Sequence, residues 1–226
     1  MITVYTAIYG SYEDPKPAPT TPLVDRWLMY TDDANIEAPG WEVIHEPRPD
    51  EPPFLAAKYR KCHPPECGRS LWLDASIWLR DEHILFDALE LLESCDIATF
   101  RHPYRDCILD EAIESEYTPR YRGQKVLRQA TKMLEAGHPR HWGLYSTGII
   151  ARNHTPEVLE LGHEWWLRCS AETCQDQVSF PFVVRNAGLK VKLFDEMGRG
   201  GIYSNPSFLV GKHKLALPIG TPEAAQ

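Results

Sequence analysis

The chain opens on Ile2-Thr3-Val4-Tyr5-Thr6-Ala7-Ile8, a β-branched and aromatic run that stops at Tyr9-Gly10. It predicts a strand entering a turn. Pro15, Pro17, Pro19 and Pro22 then impose an extended loop. Residues 26–31 predict a second strand, ending at Asp32-Asp33, and residues 41–45 a third. A short helix is expected over 54–62, with Lys58, Arg60 and Lys61 at its basic end, and a strand over 70–73 that delivers Asp74. Ile84, Leu85, Ala88, Leu89 and Leu92 share one face of an amphipathic helix over 81–94. A strand over 96–100 runs into Arg101-His102-Pro103, and helices are expected over 110–116 and 121–136. Residues 144–151 read as a strand, and 155–168 as a helix opened by Thr155-Pro156-Glu157. A helix over 176–187, despite Pro181, and a strand over 191–194 complete the series; from Gly198 the chain is rich in Gly, Pro and Ser.

Alternating strands and helices predict an α/β fold with a mostly parallel sheet covered on both faces. One domain is expected over 1–226, with 198–226 as an irregular tail closing over the site. Ligands of such sheets bind beyond the carboxyl ends of the strands. That rule places Tyr9, Tyr12, Asp32, Asp33, Asp74 and His102 on one rim.

Composition narrows the partners. A length of 226 residues suits a single core, and the net charge of −8 provides no global basic field for a polyanion. No apolar run approaches the ~18–20 residues of a membrane span. The N-terminus lacks a charged leader, so a cytoplasmic location is expected. Six cysteines show neither zinc-knuckle nor CxxC spacing and are expected as free thiols, mostly buried as small apolar side chains.

Asp74 stands inside the apolar segment Leu71-Trp72-Leu73-Asp74-Ala75-Ser76-Ile77-Trp78-Leu79. Carboxylates are rarely buried unless paired or on a metal. One reading is a hard divalent cation bridging Asp74 and two phosphates. The other is an Asp capping the turn after its strand. The flanking pattern, an apolar strand on each side of Asp-x-Ser, favours the metal.

In order along the chain stand Tyr5-Thr6-Ala7-Ile8-Tyr9-Gly10-Ser11-Tyr12, Tyr30-Thr31-Asp32-Asp33, Ala57-Lys58 with Lys61, Leu71-Trp72-Leu73-Asp74-Ala75-Ser76 and Arg101-His102-Pro103. Cys107 with Glu111-Ala112, Gly143-Leu144, Ile150-Ala151-Arg152-Asn153-His154, Trp165-Trp166 and Asp176-Gln177-Val178-Ser179-Phe180 follow. This series resembles a family of short glycosyltransferase-like domains, long a domain of unknown function, found in bacteria, phages and plant enzymes of cell-wall and mucilage polysaccharide synthesis. The resemblance implies a single GT-A-type, Rossmann-like domain that binds a nucleotide sugar, usually with Mn2+ or Mg2+. Its Asp-x-Asp motif falls on Asp74-Ala75-Ser76, so Ser76 stands where the second acid would be. The same resemblance implies a metal site completed by His213 and a diphosphate contact from Lys214. It implies donor contacts from Thr6, Ala7, Tyr9, Asp32, Asp33, Lys58, Lys61 and Gln177. Asp176 and His102 are then the expected catalytic groups.

The expected partners are a UDP-sugar donor and either a saccharide or a hydroxymethylated DNA base as acceptor. Arg120, Arg122, Lys125 and Arg128 would form the basic face for DNA, or else a solvated helix. Two other classes stay open: a binding module whose active site has decayed, and a nucleotidyltransferase or sugar-nucleotide hydrolase, which the single glycine of Tyr9-Gly10-Ser11-Tyr12 disfavours. Donor sugar, stereochemistry and oligomeric state do not follow from the sequence.

Overall fold

The computed structural model describes residues 1–211. Nine strands and six α-helices follow one another: β1 (Ile2–Ile8), β2 (Val24–Thr31), β3 (Glu42–His45), α1 (Pro53–Cys62), β4 (Arg69–Leu73), β5 (Ile77–Leu79), α2 (His83–Leu92), β6 (Ile97–Arg101), α3 (Ile108–Glu116), α4 (Val126–Glu135), β7 (Tyr145–Asn153), α5 (Pro156–Ala171), α6 (Asp176–Ala187), β8 (Val191–Leu193) and β9 (Phe208–Val210). Seven of the strands form one sheet in the order β3-β2-β1-β4-β7-β6-β8. Neighbours are parallel except at β7, which runs against β4 and β6. The mostly parallel α/β sheet expected from the alternation is present.

The period of β1 shows how the two faces are made. Tyr5, Ala7 and Tyr9 point into one apolar cluster, shared with α1, α3, α4, α5 and α6. Ile2 and Val4 point into the other, which contains α2, Phe194 and Phe208. Side chains alternate across a strand, so a strand buried on both sides reads as the unbroken apolar run seen in the sequence.

Two elements depart from expectation. The helix expected over 121–136 begins only at Val126, because Gly123 has φ +80° and a 3-10 turn, Pro119–Tyr121, precedes it. Arg120 and Tyr121 are thereby turned away from the basic helix. The second departure is in the tail, where Phe208–Val210 forms a strand antiparallel to Ile77–Leu79. Phe208 is buried against Phe100, with ring centroids 5.6 Å apart, and this apolar anchor holds the ribbon.

The reversed strand matters for the site. Because β7 pairs Ile149 with Leu73 and Tyr145 with Arg101, its N-terminal end meets the C-terminal ends of its neighbours. One rim therefore carries Tyr9, Asp32, Asp74, His102 and also Ser146-Thr147-Gly148.

Candidate functional site

The centre of that rim is a buried charge cluster built on Lys61. The Lys61 side chain is 1% exposed. Its Nζ lies 2.7 Å from Asp176 Oδ2, 3.2 Å from Asp74 Oδ1 and 3.1 Å from Thr147 Oγ1. An ammonium has three N–H donors, and these three contacts use them all. The Thr147 hydroxyl donates in turn to Asp176 Oδ2 at 3.1 Å. Lys58 reaches the same oxygen at 2.7 Å. The five side chains come from α1, the residue after β4, β7 and α6, so the cluster exists only in the folded chain.

Each member is held by the scaffold. Trp72 Nε1 donates to Asp74 Oδ1 at 2.6 Å. Trp165 Nε1 donates to the Asp176 carbonyl at 3.0 Å. Arg152, fully buried on β7, donates to the carbonyl of Lys61 and to Tyr5 Oη, each at 2.7 Å. A cation placed on the last carbonyls of a helix complements its dipole, and here it also fixes the backbone that carries Lys61. Gly162 lets α5 approach this end of α1: a Cβ at that position would lie 2.2 Å from the Cys62 carbonyl oxygen.

The charges follow from these contacts. Burial disfavours the Asp176 carboxylate, but Lys58 and Lys61 outweigh it and hold the carboxyl well below the usual range. Burial likewise pulls on the Lys58 ammonium, and the carboxylates of Asp176 and Asp74 overcome it, raising its pKa. Asp74 is the open carboxylate, 34% exposed against 4% for Asp176. Arg120 is half-buried nearby. Burial opposes its charge, while Tyr121, Cys174, Asp176 and Tyr12 around it favour the charge. Among the described residues no carboxylate lies within ion-pair distance of it.

The structure brings Lys58, Lys61, Asp74 and Asp176 together, and the other expected site residues that it describes make no hydrogen bond or ion pair with the side chains of these four. Asp32 accepts the Gly10 N–H on both oxygens, at 2.9 and 3.0 Å. It thereby fixes the turn in which Gly10 and Ser11 have φ +65° and +52°. Asp33 accepts from Asn35 N at 2.8 Å in a local turn. Both acids do the turn work that Asp after a strand commonly does. Thr6, Ala7 and Tyr9 are buried, and Thr6 and Ala7 lie inside the β1–β2 ladder. Thr6 lines a void of about 10 Å³ beneath Asp74, room for one water at most. Ser76 is buried, and its carbonyl accepts from Gly211 N at 2.8 Å. Gln177 is half-buried beside Asp176, without a side-chain hydrogen bond among the described residues. His213 and Lys214 lie outside the described residues.

His102 is buried at the end of β6, with Nδ1 accepting from the Arg105 N–H at 3.1 Å and the Tyr104 N–H at 3.4 Å. Its Nε2 is 3.5 Å from Glu111 Oε2. Burial, then the Arg105 charge, lowers its pKa to about 4. Glu111 is bonded in turn to Arg105 at 2.5 Å and to Gln175 at 2.8 Å. The expected basic face is also divided: Arg128 lies 3.7 Å from Glu172, apart from the inward-turned Arg120.

Sequence reasoning missed Thr147 and Gln175, placed Arg120 on a basic face for DNA, and gave Arg152 no role beyond the family resemblance. The signal for Arg120 was Gly123, which ends any helix through that stretch. Arg152 carried a different one, a charged residue inside the apolar strand Ile149-Ile150-Ala151.

Two other features compete for attention. A groove of about 570 Å³ lies between α5 and α6, but Glu157, Glu160 and Glu164 line it with a single arginine, Arg168. That acidic lining is unsuited to a phosphate. Cys107, Asp110 and His141 place one ligand-capable atom each within 4.8 Å of one another. His141 Nδ1 is already 2.7 Å from Asp106 Oδ1.

No protein-family model matches the chain, and no curated protein matches it. Among solved structures it is similar to mouse xyloside xylosyltransferase 1 in its apo form, at 8% identity and TM-score 0.47 over 93% of this chain and 97% of that one. It is similar to the bifunctional glycosyltransferase WbbM at 10% identity and TM-score 0.44, covering 85% of this chain and only 38% of that one. A 4-diphosphocytidyl-2C-methyl-D-erythritol synthase from Anaerococcus prevotii gives 13% identity and TM-score 0.47, with 91% of each chain covered. These likenesses extend to chain path alone. No helix among the described residues is long and apolar enough to cross a membrane.

Proposed function

We propose that the chain is a glycosyltransferase of GT-A type that takes a nucleotide-sugar donor, a UDP-sugar in the first instance, and holds its diphosphate at the Lys58–Arg120 face of the rim. The observation that carries this reading is the charge balance. Three cations, Lys58, Lys61 and Arg120, meet two carboxylates, Asp74 and Asp176, at the carboxyl rim of an α/β sheet in a chain of net charge −8. A local positive surplus in an acidic protein fits an anionic ligand. Lys58 uses one of its three donors on Asp176, and Arg120 spends none of its five on a carboxylate among the described residues.

In the reaction, the acceptor hydroxyl attacks the anomeric carbon and the bond from that carbon to the diphosphate oxygen breaks. The electron pair and, in the net reaction, the hydroxyl proton end on the released nucleoside diphosphate. Lys58 and Arg120 stabilise the charge that develops there, and Lys61 and Asp176 keep Lys58 in place. Asp176 is poorly suited to serve as the base, because two ammonium groups lower its affinity for a proton and burial keeps it from the acceptor. His102 is neutral above about pH 5, and its Nδ1 is occupied by main-chain donors. A positioning role for the loop on the acceptor side suits it better.

The divalent cation expected at Asp74 does not fit the described donor set. Mg2+ and Mn2+ seek hard oxygen ligands, whereas Asp74 Oδ1 is taken by Trp72 and Lys61 and Asp176 Oδ2 by Lys58, Lys61 and Thr147, so a cation bridging the two carboxylates would have to displace the Lys61 ammonium. No step above uses a metal.

The test is a panel of nucleotide sugars incubated with the protein, following release of nucleoside diphosphate by slow transfer to water. Release from one donor above the blank, lost in Arg120→Ala, supports the reading. No release from any donor, with no binding of any nucleoside diphosphate by folded protein, would favour a binding module of another kind.

A further inference from the structure

The misfit of a metal at Asp74 has a positive counterpart. Resting on the donor-site reading above, we propose that the Lys61 ammonium neutralises the two carboxylates that a divalent cation would otherwise bridge, leaving the diphosphate to Lys58 and Arg120, so that the donor diphosphate binds without metal. Lys61 Nζ is the point where the carboxylates of two separate elements converge: Asp74 from the end of β4 at 3.2 Å and Asp176 from the start of α6 at 2.7 Å. A dication bridging those carboxylates would need the space that the ammonium fills.

Lys61 is also fixed as a metal would be. All three of its donors are used, its main-chain carbonyl is held by Arg152, and the rings of Trp72 and Trp165 lie 5.9 and 6.0 Å from Nζ. An ammonium carries one charge where the metal carries two. Arg120, with no carboxylate within ion-pair distance among the described residues, supplies the second beside the same cluster. The expected pattern of Asp-x-Asp with a metal is thus matched by one Asp, one buried Lys and one Arg, which accounts for a serine at position 76: no metal remains for a second acid to bind.

The experiment is calorimetric titration of the wild-type protein with UDP, once in EDTA and once with Mn2+. Affinities that agree within about threefold support the proposal. Binding that is at least about tenfold tighter with Mn2+ overturns it and leaves the donor site standing. Absence of UDP binding in both buffers overturns the donor-site reading and this inference with it. Lys61→Met adds a second readout. It removes the charge at similar length, and the variant is expected to lose at least about tenfold in UDP affinity in EDTA and to regain part of it with Mn2+. Circular dichroism on the same sample shows whether it is folded.

Discussion

Asp176 shows most clearly how one residue can be read two ways. In the sequence it opens a helix, and an acid there is favoured by the dipole; in the fold its carboxylate receives two ammonium groups and a hydroxyl on a single oxygen. Breaking a buried pair from one side costs roughly 3–5 kcal/mol, so Asp176→Asn is expected to lower the melting temperature sharply. The pH dependence has a definite sign. The folded pKa of Asp176 lies below its unfolded value of about 3.9. Its stabilisation is therefore complete above about pH 4 and is lost as pH falls toward the folded value. Acid unfolding of the wild type should steepen below about pH 4, and Asp176→Asn should flatten that limb. An unchanged acid limb in the variant would show that the two lysines do not hold the carboxylate as described. At this scale the sequence was partly legible. Asp74 announced itself as a charge in an apolar run, and Lys58 and Lys61 by their place ahead of the same strand. Nothing local separated the ligand-facing lysine from the internal one, since the difference is made by Thr147, eighty-six positions from Lys61.

Among elements, the decisive contact is α1 against α5. The cluster needs the C-terminal end of α1 pressed onto the sheet, and Gly162 is what permits α5 to lie across it. Gly162→Ala places a methyl group against the Cys62 carbonyl oxygen, and the overlap must move a backbone. Overpacking of this kind costs roughly 1–3 kcal/mol. The variant is expected to melt lower and, unlike a surface change, to bind UDP more weakly, because Lys58 and Lys61 ride on the displaced helix. A stable variant with unaltered UDP affinity would detach the helix contact from the site. The principal strands and helices were readable from periodicity because each buries a continuous face. The reversal of β7 was not, since an apolar strand buried on both faces reads alike in either direction. That one unreadable feature brings Thr147 to the rim.

The described residues are built on one seven-stranded sheet, with the β5–β9 ribbon beside it and an apolar cluster on each face, and both clusters share the same strands of that sheet. Neither face can open without the other, so heating should give a single calorimetric transition. All six cysteines are free thiols, so that transition should be insensitive to reductant; a lower melting temperature in dithiothreitol would reveal a disulfide. The acidic surface and the cationic rim act together on ligands: a polyanion meets repulsion over most of the molecule, while a small anion meets only the local surplus at Lys58 and Arg120. The central claim is that this surplus is a diphosphate site. The most direct test is calorimetric binding of UDP to wild type and to Arg120→Ala. The account predicts measurable binding by the wild type and a loss of at least about tenfold in the variant, the worth of one charge-assisted hydrogen bond, with the melting temperature of the free protein unchanged. Equal affinity in the two proteins would contradict it.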